Sequence, residues 1–363
     1  MSRTRTIGEA ELRSLATGAG VLGTGGGTHP YLELLNIEKL YREGRHARLI
    51  SADALGDDEL VAVVGLMGAP LVTKERLPDP DHVLRPVRLM EDFTGRRFDA
   101  VMSIEIGSEN SILPLMVSAL CGIPVVDADT MGRAFPEAQM ASFAIRGLSL
   151  TPFVISDIRD NDLVITRTED ALWTERIGRR VCTELGSIVA TCSAPRTGRE
   201  VKDHAILGSI SRAIRLGEAV MNARRRHESP IAAVLIAERG VHLFRGKVSD
   251  VARRTTGGFV RGEAQIEGVD EFAGDVFLVD FQNEFTIGRH AGEVRVTVPD
   301  LICILDSLTG TALGTETIRY GQRVDILSLP CDPIMSSSEG LQRVGPRAFG
   351  YDFDFVSLHR MAA

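Results

Sequence analysis

The stretch FDAVMSIEIGSENSILPLMVSALCGIPVVDAD, residues 98–129, predicts a strand, a helix and a second strand in direct succession. Residues 98–107 are mostly apolar, with Val101, Ser103 and Glu105 on one side of the expected strand. The segment ENSILPLMVSALCG is typical of a helix that ends at Gly122, and IPVVDAD is typical of the next strand. Because two strands joined through a helix usually pair in parallel, this stretch predicts a parallel sheet.

The same alternation continues on both sides of this stretch. The segment LVAVVGLMGAP, residues 60–70, predicts a buried strand and a glycine-rich turn, while DHVLRPVRLMEDF and FPEAQMASFAIRG predict helices. We therefore predict an α/β N-terminal domain with a mostly parallel sheet. Ligands of such sheets bind beyond the carboxyl ends of the strands, which here carry Gly68, residues 105–110 and residues 127–133.

Beyond residue 152 the pattern changes to short strands with few helices. A hairpin and a helix through Trp173 precede the strand SIVATCS and an amphipathic helix over about residues 203–227. After Pro230 the sequence predicts strands almost throughout, including IAAVLIAERGVHLFRGKV and an exposed edge strand in GPRAFGYDFDF. In FQNEF, Asn283 and Glu284 interrupt an apolar strand, which indicates a turn or a polar pocket. The predicted domains are an α/β domain, residues 1–166, and a β-rich (α+β) domain preceded by a helical segment, residues 167–363.

Composition and charge exclude several classes of protein. The 363 residues carry 41 basic and 49 acidic side chains, a net charge of −8, and no basic stripe, which argues against nucleic-acid binding. The chain shows neither a transmembrane-length apolar run nor a secretory signal pattern, so we expect a cytoplasmic protein without membrane association. The five cysteines lack CxxC spacing, which favours reduced thiols, and Cys331 is the best nucleophile candidate among them. An acidic metabolic enzyme of this size is expected to be a homo-oligomer.

The glycine-rich segment GAGVLGTGGGTHPYLELL, residues 18–35, allows two interpretations. A predicted helix stopped by Gly18 and Gly20 precedes it, whereas a dinucleotide fingerprint needs a strand there, and the lysine of a P-loop is missing. In one interpretation the N–H groups of the turn form an anion or oxyanion site at the start of the next helix. In the other the glycines form a tight corner between helices. His29 favours the functional interpretation, in which the binding residues are Gly25, Gly26, Gly27 and Thr28.

Two further groups of polar residues follow predicted strands. Glu105 comes late in an apolar strand, so its carboxylate must be paired, protonated or bound to a cation. Asp127 and Asp129 lie two residues apart, which suits general acid/base chemistry or a hard cation if both face one side of a strand. Arg133 either holds these carboxylates in a structural salt bridge or binds an anionic group of a substrate. The candidate substrate contacts at the start of the following helix are Glu109 and Asn110.

The segments GTGGGTHPY, EIGSEN, DADTMGRAFPE, DFQNEF, VPDLICILDSLTG and VGPRAFGYDFDF together resemble the S-methyl thiohydantoin desulfurase-like family, also known as domain of unknown function 917. The resemblance extends over about residues 10–358 and includes an N-terminal and a C-terminal domain. It implies a hydrolase that acts on a small five-membered heterocycle and releases methanethiol to leave a hydantoin. It also implies a hydantoinase or oxoprolinase partner, with a non-catalytic accessory or ligand-binding subunit of such a system as the alternative.

The reaction that the resemblance implies needs an activated water, a hydrogen-bond donor to the developing oxyanion and contacts that orient the ring. We expect Asp127 or Asp129 to act as the base with Glu105 in support, and the N–H groups of residues 25–27 to act as oxyanion donors. His29 or Arg133 would supply positive charge. A cysteine nucleophile is a weaker route. The alternative activation of water is a divalent metal held by Glu105, Asp127, Asp129 and His29.

Overall fold

The structure, a computed structural model, describes residues 3–69, 72, 79–256 and 258–359. Among these residues, no helix has the length and apolarity needed to cross a membrane. The helices are α1 (Glu9–Leu22), α2 (Tyr31–Arg42), α3 (Pro80–Thr94), α4 (Leu113–Cys121), α5 (Ser142–Ile145), α6 (Ala171–Glu184), α7 (Gly198–His204), α8 (Ser209–Arg225), α9 (Pro230–Glu238) and α10 (Ser338–Val344).

The strands form two large sheets and a two-stranded pair. In the first half of the chain they are β1 (Arg5–Thr6), β2 (Arg48–Ile50), β3 (Leu60–Gly68), β4 (Ala100–Ser103), β5 (Val125–Val126), β6 (Ala128–Asp129), β7 (Phe153–Ser156) and β8 (Asp162–Ile165). In the second half they are β9 (Ile188–Thr197), β10 (Ile206–Leu207), β11 (Val241–Thr256), β12 (Phe259–Gly268), β13 (Val276–Gln282), β14 (Glu284–His290), β15 (Glu293–Thr297), β16 (Leu301–Asp306) and β17 (Arg323–Leu329).

The first sheet has the strand order β1-β2-β5-β4-β3-β9-β7-β8. Its centre, β2, β5, β4 and β3, is parallel, which confirms the α/β prediction, and the flanking strands pair antiparallel. Strand β3 shows why an unbroken apolar run is needed: Ala62 and Val64 pack into one hydrophobic cluster, whereas Val61 and Val63 pack into another. Successive side chains point to opposite faces, so a central strand buried on both faces must be apolar throughout.

Strand β9 completes this sheet beside β3, although it comes after residue 166, where the sequence predicts the end of the first domain. The position of that boundary stays a prediction. The hairpin β7–β8, helix α6 and strand β9 form where the sequence predicts them. The helix predicted over residues 203–227 is instead divided into α7, β10 and α8, because residues 206–207 pair with β6.

Helix α1 continues through Gly18 and Gly20 to Leu22, so the prediction that these glycines stop it is wrong. Gly18 lies where α1 crosses α8, and a Cβ atom there would overlap the carbonyl oxygen of Ala213. Gly217 on α8 is the reciprocal contact, since a Cβ atom there would overlap the backbone of α1. The two glycines therefore allow the helix backbones to touch.

The second sheet has seven antiparallel strands in the order β15-β14-β13-β12-β11-β17-β16. It is curled, so that β14 and β15 near one edge approach β16 at the other edge. Its apolar side chains form a separate core that includes Phe244, Phe277 and Phe285. This sheet confirms the prediction of a β-rich C-terminal domain.

Residues 230–238, which the sequence predicts as a strand, form helix α9. Ser229 Oγ accepts a hydrogen bond from the Ala232 N–H at 3.2 Å, and Pro230 lies in the first turn, as is typical of a helix start. The prediction is wrong because a short apolar run does not distinguish a buried helix from a buried strand.

The segment GPRAFGYDFDF, which the sequence predicts as an edge strand, forms a 3-10 turn at Pro346–Phe349 followed by irregular chain. Asp352 and Asp354 are exposed, as predicted, and both pair with Arg347. The alternation of aspartate and aromatic residues therefore reflects two ion pairs on one arginine rather than the pleat of a strand.

The crossing of α1 and α8 predicts the stability of two glycine variants. Gly18→Ala forces a methyl group against the α8 backbone and should lower the free energy of unfolding by about 1–3 kcal/mol. Gly178→Ala in α6 is the matched control, because its methyl group would make only ordinary contacts and should raise stability by about 0.5–1 kcal/mol. Chemical denaturation measures both values. Equal stabilities of the two variants would contradict the close crossing.

Candidate active site

A cavity of about 100 Å³ lies beyond the carboxyl ends of β3 and β4. The turn between β13 and β14 covers it, so both large sheets contribute to its wall. This is the position expected for a ligand site in an open α/β sheet. We call it the strand-end cavity, and its charged lining residues are Glu105, Glu109, Glu137, Glu175, Glu284 and Arg179.

Glu105 is held in the wall of the strand-end cavity by two hydrogen bonds. Asn110 Nδ2 donates to Oε1 at 2.6 Å, and the Phe135 N–H donates to Oε2 at 3.0 Å. The Asn110 amide is itself fixed, because its Oδ1 accepts a hydrogen bond from the Leu66 N–H at 2.7 Å. Burial raises the pKa of Glu105 to about 8, although these two donors oppose the shift. Glu105 is therefore able to exchange a proton near neutral pH.

Glu284 reaches the same cavity from the second sheet. The residue is 4% exposed, and among the described residues its Oε2 atom has no hydrogen-bond partner. Burial raises the pKa of Glu284 well above its ordinary value, the nearby Glu105 raises it further, and the buried charge of Arg133 opposes the shift. A buried carboxyl oxygen without a protein partner, in a cavity wall, is available to a ligand or to water.

Helix α6 holds another part of the cavity wall. Glu175 and Arg179 form a buried ion pair with a distance of 2.7 Å between Oε1 and Nε. Arg179 Nη2 also donates to the Pro136 carbonyl at 2.8 Å, and the Ala138 N–H donates to Glu175 Oε2 at 2.9 Å. The ion pair therefore positions the backbone of residues 136–138 as well as neutralising a buried charge.

Two more carboxyl groups, those of Glu109 and Glu137, complete the acidic lining. Gln282 Nε2 donates to Glu137 Oε1 at 3.2 Å, and burial raises the pKa of Glu137. Next to Glu109, the buried Glu33 on α2 has a pKa raised to about 8, first by burial and then by the charge of Glu109. Several carboxyl groups in and around this cavity therefore hold protons more tightly than they would in water.

The glycine-rich loop packs tightly against this site. Gly25 and Gly27 have φ values of 94° and 122°, in the region that favours glycine, and a Cβ atom on Gly26 would overlap the Glu284 carboxylate. The Thr315 N–H donates to the Gly25 carbonyl at 2.9 Å, which ties the loop to the second half of the chain. These contacts support the corner interpretation, because the glycines make room for protein atoms. The oxyanion role of residues 25–27 stays a prediction.

Asp127 and Asp129 lie outside the lining of the strand-end cavity. Asp127 caps α8 by accepting a hydrogen bond from the Ser211 N–H at 3.0 Å and another from the Ser211 hydroxyl. Asp129 is fully buried and accepts hydrogen bonds from the N–H groups of Ile106 and residues 131–132 at 2.7–3.1 Å. Burial raises the pKa of Asp129 to about 7. Both aspartates bind backbone groups in separate places, so they do not face one side of a strand together as the sequence predicts, and the role of either as the base stays a prediction.

His29, Thr28 and Arg133 also lie outside the cavity lining. The pKa of His29 is lowered by burial and by the charge of Arg224, a residue near the end of α8. Arg133 is 1% exposed and donates hydrogen bonds to the carbonyls of residues 299–300 at 3.1 and 2.9 Å. Its guanidinium therefore holds backbone segments together rather than the two aspartates, and its role in binding an anionic group of a substrate stays a prediction.

The residues proposed as metal ligands are not gathered at one point. Glu105 lines the cavity, whereas Asp127, Asp129 and His29 do not. Within the part of the chain that the structure describes, no three His, Cys, Asp or Glu side chains are placed to hold a metal ion. The cysteine route is also disfavoured, because burial raises the pKa of the Cys331 thiol to about 12.

The sequence predicts the cavity residues that follow β4 and misses most of those contributed by α6 and by the turn before β14. Its candidates that lie in the cavity wall are Gly26, Glu105, Glu109 and Asn110. Glu284 gave a signal only as a polar interruption in FQNEF, without a role. The sequence gave no signal for Glu175 and Arg179, because an acidic and a basic residue four positions apart on a helix usually form an ion pair on the surface.

The comparisons with known proteins agree with this organisation. Residues 10–167 match the model of the S-Me-THD-like N-terminal domain, and residues 169–358 match that of the S-Me-THD-like C-terminal domain. The chain belongs to the S-Me-THD-like family. A crystal structure of a protein from Chromobacterium violaceum has the same fold, with a TM-score of 0.80 and 21% sequence identity over 97% of this chain and 99% of that chain. No curated protein matches the chain.

The raised pKa of Glu105 predicts how the stability of this S-Me-THD-like protein depends on pH. A carboxyl group whose pKa rises on folding binds more protons in the folded state than in the unfolded state. Its contribution to stability is complete below the unfolded pKa of about 4.3 and is lost as the pH rises through about 8. Glu105→Gln removes this titration. Its free energy of unfolding should therefore fall less between about pH 5 and pH 8.5 than that of the parent protein.

Denaturant unfolding at a series of pH values measures this difference. Glu43→Gln is the control for the change of net charge, because Glu43 is exposed at the end of α2. Parallel pH dependences for Glu105→Gln and the parent would show that Glu105 titrates normally.

Proposed function

We propose that this protein is a hydrolase that replaces the methylthio group of an S-methyl thiohydantoin with oxygen from water. One observation carries the proposal: Glu105 and Glu284, two carboxyl groups with raised pKa values, line one small cavity from the two sheets. Environments that move carboxyl pKa values towards neutral pH are typical of acid/base sites. Family membership supports the substrate class, and a volume of about 100 Å³ suits a single small ring.

The proposed reaction begins with attack of water on the ring carbon that carries the methylthio group. A base accepts a proton as the carbon–oxygen bond forms and the carbon becomes tetrahedral. The carbon–sulfur bond then breaks, and an acid protonates the departing sulfur to release methanethiol. Of the two protons of the water, one finally lies on the ring nitrogen of the hydantoin and the other on methanethiol.

Glu105 fits the role of the base and Glu284 that of the acid. Glu105 accepts hydrogen bonds from the Asn110 amide and the Phe135 N–H, and these donors favour its ionised form. Glu284 has an oxygen without a partner among the described residues, which leaves a protonated carboxyl free to donate to a ligand. The two groups influence each other, so a pH–rate profile reports the pair. Activity should rise with pH through about 8 as Glu105 ionises.

Methanethiol release from an S-methyl thiohydantoin tests the assignment. Glu105→Gln and Glu284→Gln keep the size of the side chains but remove proton transfer, so each should lower kcat/KM by about 10²- to 10⁴-fold. Asp127→Asn is the matched control, because its amide oxygen still caps α8 and the residue lies outside the cavity. Loss of activity in Asp127→Asn with normal folding, and retention in the two glutamine variants, would restore the aspartate assignment instead.

Two further outcomes distinguish the alternatives. Treatment with a chelator should leave the rate unchanged, and a loss that a divalent cation restores would contradict direct acid/base chemistry by these carboxyl groups. Absence of release from any S-methyl thiohydantoin, together with stable binding to a hydantoinase or oxoprolinase, would support the accessory-subunit alternative.

A further inference from the structure

A second cleft, of about 540 Å³, lies on the second sheet where β11, β12 and β13 run side by side. It adjoins the strand-end cavity: Gln282 lines the cleft and donates a hydrogen bond to Glu137, which lines the cavity. We call it the arginine cleft, and its charged lining residues are Arg253, Arg254, Arg261, Glu263 and Asp280. The two sites are therefore neighbours, and this hydrogen-bonded pair lies between them.

Two arginines face each other in this cleft. Arg254 on β11 is paired directly with Arg261 on β12, and Arg261 is paired with Gln282 on β13, so the three side chains form one row on one face. Like charges directly opposite each other destabilise a sheet. Among the described residues, neither guanidinium has a hydrogen bond or an ion pair, and both arginines are exposed. The Arg261 guanidinium lies 5.8 Å from the centre of the Phe259 ring, and the N–H donors of both arginines remain available to a ligand.

The acidic residues of the cleft do not balance these charges. Asp280 is already bound by Arg289 at 2.8 Å and by the Tyr351 hydroxyl at 2.8 Å. Glu263 is then the one remaining acidic lining residue against the three arginines of the cleft. Arg253 donates only to backbone carbonyls and keeps its charge. On a protein with a net charge of −8, this is a local positive surface that favours an anion.

We propose that the arginine cleft binds a carboxylate group of a substrate whose ring lies in the strand-end cavity. Guanidinium groups bind carboxylates through paired, charge-assisted hydrogen bonds, and two adjacent arginines supply enough donors to hold both oxygens. Arg261 is close enough to the cavity wall for its charge to oppose the rise of the Glu137 pKa that burial causes. The inference rests on the proposed function for the ring and adds that the ring carries an anionic substituent.

The test compares two hydantoins that differ only in charge. One carries a carboxyethyl group on ring carbon 5, and the other carries the isosteric neutral carboxamide. Isothermal titration calorimetry gives the affinity of each for the parent protein and for the double variant Arg254→Gln/Arg261→Gln. Arg295→Gln is the matched control, because Arg295 is an exposed arginine on β15 of the same sheet. Thermal unfolding of the variants checks that each is folded.

We expect the parent protein and Arg295→Gln to bind the carboxylate at least about tenfold more tightly than the carboxamide, with a preference that weakens as salt is added. The double variant should bind the two compounds within about twofold of each other and retain its affinity for the carboxamide. Equal binding of both compounds by the parent, or an unchanged preference in the double variant, would overturn the arginine site while leaving the ring site intact. Failure of both compounds to bind the parent would overturn the proposed function and, with it, this inference.

Discussion

The buried guanidinium of Arg133 joins the two halves of the molecule. It donates to Thr24 Oγ1 at 2.7 Å beside the glycine-rich loop and to the carbonyls of residues 299–300 before β16, and it lies 4.5 Å from the centre of the Phe135 ring. A buried cation is tolerated only when its donors are satisfied. The three segments must therefore keep their relative positions, and the Phe135 segment and the second sheet cannot move apart without exposing an unsatisfied charge.

This junction explains why the strand-end cavity has the electrostatics of an acid/base site. Burial lowers the pKa of Arg133 to about 10, Glu284 opposes that shift, and Arg133 in turn limits the rise of the Glu284 pKa. Glu105 faces the same space but receives its support from the backbone and from Asn110. Two carboxyl groups in one cavity thus have different hydrogen-bond environments, which is the arrangement that separates an acid from a base.

The predictions that succeeded depend on local sequence patterns. The predictions that failed concern residues whose environment is set by contacts with distant parts of the chain. The parallel strands and the position of Glu105 follow from apolar runs and turns within short segments. The pairing of Asp127 with Asp129 assumed one continuous strand, but the chain leaves β5 and pairs with β10, so Asp127 becomes a cap of α8. Likewise, a glycine such as Gly18 can mark the end of a helix or allow a second helix to pack closely. Here the backbone of α8 lies against Gly18, so the glycine serves the second purpose.

The sequence by itself determined the alternation of strands and helices, the β-rich second half and the placement of Glu105 and Asn110 beyond a strand end, because each depends on residues close together in the chain. Only the tertiary structure decided which carboxyl groups share a cavity. Glu284 comes from the other half of the chain and lines the same cavity as Glu105, where it packs against Gly26 in a contact that no local pattern predicts. The pKa of each group is raised by burial among residues distant in sequence, and burial of that kind exists only in the folded protein.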